Sequence, residues 1–170
     1  VESWPVFGLI SRAAGTLFID RSRKRAVLEM AEKMNETLRA GESVLFFPEG
    51  TTGEGRVRLP GKASVLASAV ATEAELIPVV IRYTQKGKVT TIPSYAGNIP
   101  LFTVMKRIVF SSGLEAEVQV LEPISSAGVD RKTLCAQTSA VMSAALGVPD
   151  ATAAKEEAVR QRREAALKHD

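Results

Sequence analysis

The sequence has 170 residues, 45% of them apolar and 24% charged, which is typical of one globular domain with a hydrophobic core. Its single cysteine, Cys135, excludes an internal disulfide framework and a cysteine-rich zinc site. Its single histidine, His169, excludes a histidine-centred site inside the fold. No apolar run reaches the ~20 residues of a membrane-spanning helix, so we expect a soluble protein or one whose membrane anchor lies upstream.

The net charge of +3 is unevenly distributed along the chain. Residues 76–114 contain no aspartate or glutamate but five lysines and arginines, and a second basic stretch covers residues 12–25. Cationic stretches beside apolar ones are typical of surfaces that bind an anionic substrate, nucleic acid or an acidic membrane. A solvated surface has the same pattern, so charge alone leaves the partner open.

Apolar spacing and turn residues predict helices that alternate with strands. The predicted elements are a helix over residues 4–14, a strand over 16–19, a helix over 27–38 that stops at Gly41, a strand over 44–47, a loop over 49–60, a helix over 62–72, strands over 76–83 and 89–92, a helix over 100–110, a half-buried strand over 115–121 and a helix over 131–146. Asp130 is a candidate N-cap for the last helix. This alternation favours an α/β fold with a mixed or largely parallel sheet flanked by helices.

The most informative motif follows the strand predicted over residues 44–47. It reads Phe-Phe-Pro-Glu-Gly-Thr, residues 46–51. Parallel sheets bind ligands beyond the carboxyl ends of their strands, where this turn would lie. Gly50 lets the backbone approach a ligand, and Thr51 offers a hydroxyl and a backbone amide. Glu49 is the only ionised group of the turn, although an ordinary strand-to-loop turn uses the same residue types.

Two further segments are weaker signals when each is taken alone. Residues 15–21 read Gly-Thr-Leu-Phe-Ile-Asp-Arg and place Arg21 between a short strand and a helix, where its planar guanidinium suits a phosphate group. The alternative is an Asp20–Arg21 surface pair, worth under about 1 kcal/mol. Residues 77–80, Ile-Pro-Val-Val, read as a core strand entered through proline.

In this order and spacing, Gly-x-x-Phe-Ile-x-Arg, Phe-Pro-Glu-Gly-Thr and an Ile-Pro-Val strand resemble the glycerolipid acyltransferase family, which includes the 1-acyl-glycerol-3-phosphate acyltransferases. The resemblance covers roughly residues 3–146, and residues 95–98 and 130–132 also look like later segments of this family. It implies an acyltransferase-like fold. The implied domain covers residues 1–147 and is N-terminally incomplete, followed by a polar helix or tail over 148–170.

The resemblance implies transfer of a fatty acyl group to the free hydroxyl of a lysophosphatidic acid-like acceptor in phospholipid synthesis. The implied donor is acyl-CoA or acyl carrier protein, with no metal or redox cofactor. The implied setting is a membrane surface on the cytoplasmic side, without nucleic acid. Lyso-ornithine lipid would leave much the same motifs, so the acceptor head group stays open. The implied substrate-binding residues are Gly15, Phe18, Arg21, Glu49, Gly50, Thr51 and Lys62, of which Arg21 and Lys62 would contact the phosphate.

The sequence departs from this family at two places. Family members carry a His-x4-Asp motif whose histidine is the general base on the acceptor hydroxyl and whose aspartate orients it, and these residues lack it. The pair His169-Asp170 cannot substitute for it. We expect the motif upstream of Val1, so that the chain as written is inactive; a catalytically dead lipid-phosphate binding relative is the alternative. Gly61 also stands where the family usually has an aromatic residue.

Other functions and surfaces have weaker support. The segment from Gly55 to Lys62 has five residues between its glycines and is followed by alanine, so it does not match a nucleotide-binding phosphate loop. A single-strand nucleic-acid module interleaves aromatics with cations, and only 9 of 170 residues are aromatic. The helix over residues 100–110 either leans on anionic lipid or is buried with two exposed cations. Cys135 is expected to be a small core or boundary residue.

Overall fold

The computed structural model describes residues 8–9, 13, 15–16, 26–97 and 99–151. The chain divides into two compact units, Val1–Val44 and Leu45–Asp170. The elements expected over residues 4–14 and 16–19 lie largely outside the described residues, as does most of the expected polar tail.

The first unit contains helix α1, Ala26–Arg39, which confirms the helix expected over residues 27–38. It ends because Gly41 adopts a φ of +78°, a conformation that costs glycine little. The amides of Gly41 and Glu42 then donate to the carbonyls of Leu38 and Thr37, each at 3.1 Å. These bonds satisfy carbonyls that the end of the helix would leave unpaired.

The second unit contains a three-stranded sheet in the order β2-β1-β3, with β1 at Val79–Gln85, β2 at Lys88–Val89 and β3 at Leu114–Val120. Both neighbours pair antiparallel to β1. Lys86 and Gly87, with φ of +51° and +75°, form the tight turn between β1 and β2. Strand β1 begins only after Pro78, because proline has no amide hydrogen to donate to a ladder.

The described elements form a mixed α/β fold, as the sequence predicts. Within the described residues, parallel pairing is limited to an isolated bridge between Arg58 and Asp150. Residues 44–47 carry no strand assignment, and the neighbour expected over 16–19 lies mostly outside the described part. A short apolar run needs a pairing partner to become a strand, so a larger parallel sheet stays a prediction.

The described residues of the second unit include three helices: α2 at Ala67–Thr72, entered through a 3₁₀ turn at Ala63–Leu66, α3 at Leu101–Val109 and α4 at Arg131–Leu146. They confirm the helices expected over residues 62–72, 100–110 and 131–146. The Asp130 carboxylate accepts hydrogen bonds from the amides of Lys132 at 2.8 Å and Thr133 at 3.2 Å, as an N-cap does. Gly147, with a φ of +65°, closes α4.

The core of the second unit is centred on Leu66, Leu76 and Leu134. These side chains come from the 3₁₀ turn, the segment before β1 and helix α4, so burial of apolar surface holds these elements together. Cys135 packs against this core, which confirms it as a boundary residue.

The two faces of the sheet differ in burial. On one face, the Arg82 guanidinium donates to the carbonyls of Ala145 at 2.9 Å and Leu146 at 3.1 Å, at the end of α4. The opposite face carries apolar side chains that are exposed, including Ile81 and Val118, which pair across the strands. Residues 115–120 are exposed throughout, so the expectation of a half-buried strand over 115–121 is wrong for the described structure. The alternation is present, but no described element covers its apolar side.

Candidate functional site

The Phe-Pro-Glu-Gly-Thr motif forms a tight turn in the second unit. The Gly50 amide donates to the Phe47 carbonyl at 3.1 Å, which closes a four-residue turn with Pro48 and Glu49 at its centre. Gly50 has a φ of +65°, where a residue with a Cβ is strained. Gly50 therefore sets the path of the chain into Thr51, which is exposed.

Lys62 lies against this turn, eleven positions after Thr51. Its amide donates to the Pro48 carbonyl at 2.9 Å. A Cβ placed on Gly50 would lie 2.9 Å from the Lys62 Nζ and 3.2 Å from its Cε. The absence of a side chain at Gly50 thus gives the ammonium group its place over the turn, while Lys62 as a residue remains exposed. The result is a positioned cation that an anionic group can reach from solvent.

Glu49 occupies a half-buried position in the same turn. Partial burial disfavours its charged form and raises the pKa of its carboxyl, and the negative charge of Asp150 acts in the same direction. A hydrogen bond from the Leu59 amide and the positive charge of Arg58 oppose this shift. Burial is the largest of these effects, so Glu49 keeps its proton to a higher pH than an exposed glutamate.

Arg58 is the buried centre of the loop that joins the motif to Lys62. It is only 4% exposed. Its Nε donates to the Ser143 hydroxyl on α4 at 3.1 Å, and its Nη2 pairs with the Asp150 carboxylate. Its amide donates to the Pro149 carbonyl at 3.0 Å, and its carbonyl accepts from the Ala151 amide at 2.8 Å. Side-chain and backbone bonds together fix the loop against the end of α4.

Sequence reasoning missed both Arg58 and Asp150. Asp150 falls in the segment assigned to a polar tail, and it lies 92 positions from Arg58. The signal that could have found the pair is the setting of Arg58, between Val57 and Leu59 in an otherwise polar loop. Such flanks favour burial, and a buried guanidinium requires a carboxylate or other acceptors.

A second set of contacts holds the earlier part of the loop. The Thr52 hydroxyl donates to the Tyr95 carbonyl, and the Ser94 hydroxyl donates to the Glu54 carbonyl at 3.4 Å. We call the loop from Pro48 to Lys62 the motif loop. The start of the segment over residues 95–98, which the sequence resemblance includes, therefore contacts this loop.

Gly61 is the position at which the sequence departs from an expected aromatic residue. A Cβ at Gly61 would lie 3.1 Å from the Cys135 Sγ and 3.7 Å from both the Pro48 Cβ and the Ser139 Oγ. Because the backbone passes this close to α4, a larger side chain would have to displace it. Glycine in place of an aromatic residue at position 61 is therefore consistent with the close packing of the loop against α4.

The structure brings four of the sequence-predicted site residues onto one loop: Glu49, Gly50, Thr51 and Lys62. Gly15 belongs to the first unit, with a φ of +69°. Phe18 and Arg21 lie outside the described residues. The binding roles of all seven residues stay predictions.

Two further properties concern the described residues alone. They contain no group of three or more histidine, cysteine, aspartate or glutamate side chains placed to hold a metal ion. They also contain no helix with the length and apolar character required to cross a membrane.

Comparison with known proteins gives a consistent result. The family model described as Acyltransferase matches residues 1–82. A 1-acyl-sn-glycerol-3-phosphate acyltransferase of Neisseria gonorrhoeae is 40% identical over 119 residues, 69% of this chain and 46% of that protein. A lyso-ornithine lipid O-acyltransferase of Pseudomonas aeruginosa is 32% identical over 146 residues, 86% of this chain and 56% of that protein. The chain spans about half the length of these relatives, and no solved structure matches it.

Proposed function

The chain belongs to the glycerolipid acyltransferase family, and on this premise we propose that it supplies the acceptor-binding part of a lysophospholipid acyltransferase. The reaction moves a fatty acyl group from acyl-CoA or acyl carrier protein to the free hydroxyl of a lysophosphatidic acid-like acceptor. The observation that carries the proposal is that the Lys62 ammonium lies beside the Gly50 turn. A cation beside the exposed Thr51 suits a phosphate group.

The chain's own residues have distinct parts in this proposal. Lys62 binds the acceptor phosphate, and the Gly50 turn keeps the backbone close enough for the Thr51 amide and hydroxyl to contribute. The Glu49 carboxyl, half-buried beside them, accepts a hydrogen bond from a glycerol hydroxyl when ionised. The family resemblance also implies acceptor-binding roles for Gly15, Phe18 and Arg21, and these roles stay predictions.

The transfer step itself needs a group that these residues lack. The acceptor oxygen attacks the thioester carbonyl carbon, the carbon–sulfur bond breaks, and the thiol leaves with a proton. A general base must take the hydroxyl proton, and the 170 residues hold no His-x4-Asp motif for this role. We place the base upstream, so that this chain alone binds acceptor and does not turn it over. No metal or redox cofactor takes part.

The setting proposed for this chemistry is the cytoplasmic side of a membrane. An acceptor with one acyl chain resides in the bilayer, and acyl-CoA and acyl carrier protein are water-soluble donors. The names of the two relatives support a lipid acceptor but differ in head group. The Lys62 cation favours the phosphate-bearing acceptor, since phosphate brings the larger negative charge.

Isothermal titration of the full chain with a short-chain, monomeric 1-acyl-glycerol 3-phosphate tests the proposal. Lys62→Gln should weaken binding by about tenfold or more, because a charge-assisted contact to phosphate is lost. Lys88→Gln makes the same change on strand β2 and should leave binding unaltered. Equal affinity of the parent chain and Lys62→Gln would contradict the assigned role. Tighter binding of a short-chain lyso-ornithine lipid would move the proposal to that acceptor.

A further inference from the structure

Helix α3 turns its apolar stripe outward. Phe102, Met105 and Val109 recur at spacings of three and four residues and therefore share one side of the helix. Phe102 is 66% exposed and Val109 is 74% exposed, whereas Val104, on the other side, is 2% exposed. Phe110, just after the helix, is 83% exposed. A helix of a globular protein normally buries such a stripe, and large exposed apolar patches mark binding surfaces.

Basic side chains border this stripe. The Lys106 Nζ lies 4.8 Å from the centre of the Phe102 ring, and Arg107 is exposed beside it. The turn between β1 and β2 lies against the residues that follow α3, because the Lys86 amide donates to the Gly113 carbonyl at 3.0 Å. Lys86 is therefore held against Gly113, three positions after Phe110.

The stretch of chain that contains α3 and the β1–β2 turn carries no acidic residue. Residues 76–114 lack aspartate and glutamate entirely. Of the cations in this stretch, Arg82 is engaged by the carbonyls that end α4, whereas Lys86 in the β1–β2 turn and Lys106 on α3 are exposed. The exposed side chains of this stretch thus combine aromatic and aliphatic groups with positive charge.

We infer that this surface docks on an anionic lipid bilayer, and we define the α3 face as Phe102, Met105, Lys106, Val109 and Phe110 together with Lys86. Apolar side chains insert at the boundary between head groups and acyl chains, while lysines attract anionic head groups. Lysine is depleted in protein–protein interfaces, so its place around this stripe favours lipid over a protein partner. Nucleic acid would leave the exposed apolar side chains without a role.

The α3 face is close along the chain to the candidate site. Tyr95, whose carbonyl accepts the hydrogen bond from Thr52, precedes the first residue of α3, Leu101, by six positions. Docking through α3 therefore brings the motif loop near the bilayer in which a lysolipid acceptor resides. The role of docking in bringing the motif loop to its lipid acceptor rests on the proposed function, whereas the inference that α3 docks on a bilayer does not.

Co-sedimentation of the full chain with vesicles of equal parts phosphatidylglycerol and phosphatidylcholine tests the inference. The parent chain should bind these vesicles and bind pure phosphatidylcholine vesicles at least fivefold more weakly. The double change Phe102→Ser with Phe110→Ser should reduce binding at least tenfold. Lys86→Gln with Lys106→Gln should reduce it about tenfold and remove most of the preference for anionic lipid.

A matched control uses another exposed apolar surface, on strand β3. Val118→Ser with Val120→Ser removes exposed side chains from a strand that carries Glu115 and Glu117, and it should leave vesicle binding unchanged. The inference would be overturned if this control lost as much vesicle binding as the phenylalanine variant. It would also be overturned if the phenylalanine variant bound vesicles as well as the parent chain, or if the parent chain did not bind them. Self-association abolished by the phenylalanine changes, without vesicle binding, would assign the face to a second copy of the chain.

The two proposals fail separately. Lys62→Gln should retain vesicle binding while losing affinity for the monomeric acceptor. Vesicle binding with no effect of Lys62→Gln on acceptor affinity would overturn the proposed function and leave the docking inference standing. The converse result would overturn docking and leave the acceptor site intact.

Discussion

The motif loop and the α3 face differ in how their side chains are held and in what those side chains can bind. The loop from Pro48 to Lys62 is fixed by hydrogen bonds and a buried ion pair at Arg58, so that a few polar groups have defined positions. The α3 face has exposed apolar groups and cations with few fixed contacts. A small head group requires fixed geometry, whereas a bilayer requires only apolar area and charge. The comparison therefore assigns recognition to one region and attachment to the other.

The largest effect is expected where the loop is fixed. Asp150→Ala should leave the buried Arg58 guanidinium without its carboxylate and lower the free energy of unfolding by about 3 kcal/mol. Chemical denaturation of the full chain measures this. The control is Glu54→Ala, which removes an exposed pair with Arg56 and should cost under about 1 kcal/mol. Equal effects of the two changes would mean that the buried pair does not fix the loop.

A smaller loss of stability, with a specific loss of binding, is expected at Gly50. Gly50→Ala and Gly55→Ala both place a Cβ at positive φ and should each cost about 1 kcal/mol of stability. Only the Gly50 change meets Lys62, since a Cβ at Gly55 has nothing within 4 Å. Titration with the acceptor should therefore show weaker binding for Gly50→Ala alone. Comparable losses of acceptor binding in both variants would mean that the proximity of Gly50 and Lys62 does not determine acceptor binding.

The pH dependence of stability should report on Glu49. Its carboxyl pKa in the folded chain lies above the ordinary value of 4.5, so the folded state retains a proton that the unfolded state releases. Its contribution is fully present below pH 4.5 and is lost as the pH rises through the folded-state pKa. Denaturation curves of the parent chain and Glu49→Gln should diverge over this interval, with the variant relatively more stable at higher pH. Carbon-13 titration of the carboxyl would contradict this if its pKa were at or below the ordinary value.

The smallest effect on stability is expected on the α3 face. Phe102→Ser should change the free energy of unfolding by no more than about 0.5 kcal/mol, because the side chain is already largely in solvent. The same chain should show weaker vesicle binding. A large loss of stability in this variant would mean that Phe102 packs against the protein and is not available to lipid.

The sequence predicts those parts of the fold that local patterns determine. Helix α4 has its N-cap at Asp130 and its stop at Gly147, and both act as expected. The burial of β3 could not be predicted, since alternation identifies an apolar side but not an element that covers it. The Arg58–Asp150 pair depends on how the chain returns after α4, which no local pattern encodes. The contact of Lys62 with Gly50 likewise depends on the path of the intervening loop.

The central test uses two variants, Lys62→Gln and the double change Phe102→Ser with Phe110→Ser. For each variant, two affinities are measured: one for monomeric 1-acyl-glycerol 3-phosphate and one for anionic vesicles. We expect each change to affect one of the two affinities and not the other. Lys62→Gln should lose affinity for the acceptor alone, and the phenylalanine variant should lose affinity for vesicles alone. Loss of both affinities in both variants would contradict the separation of recognition from attachment.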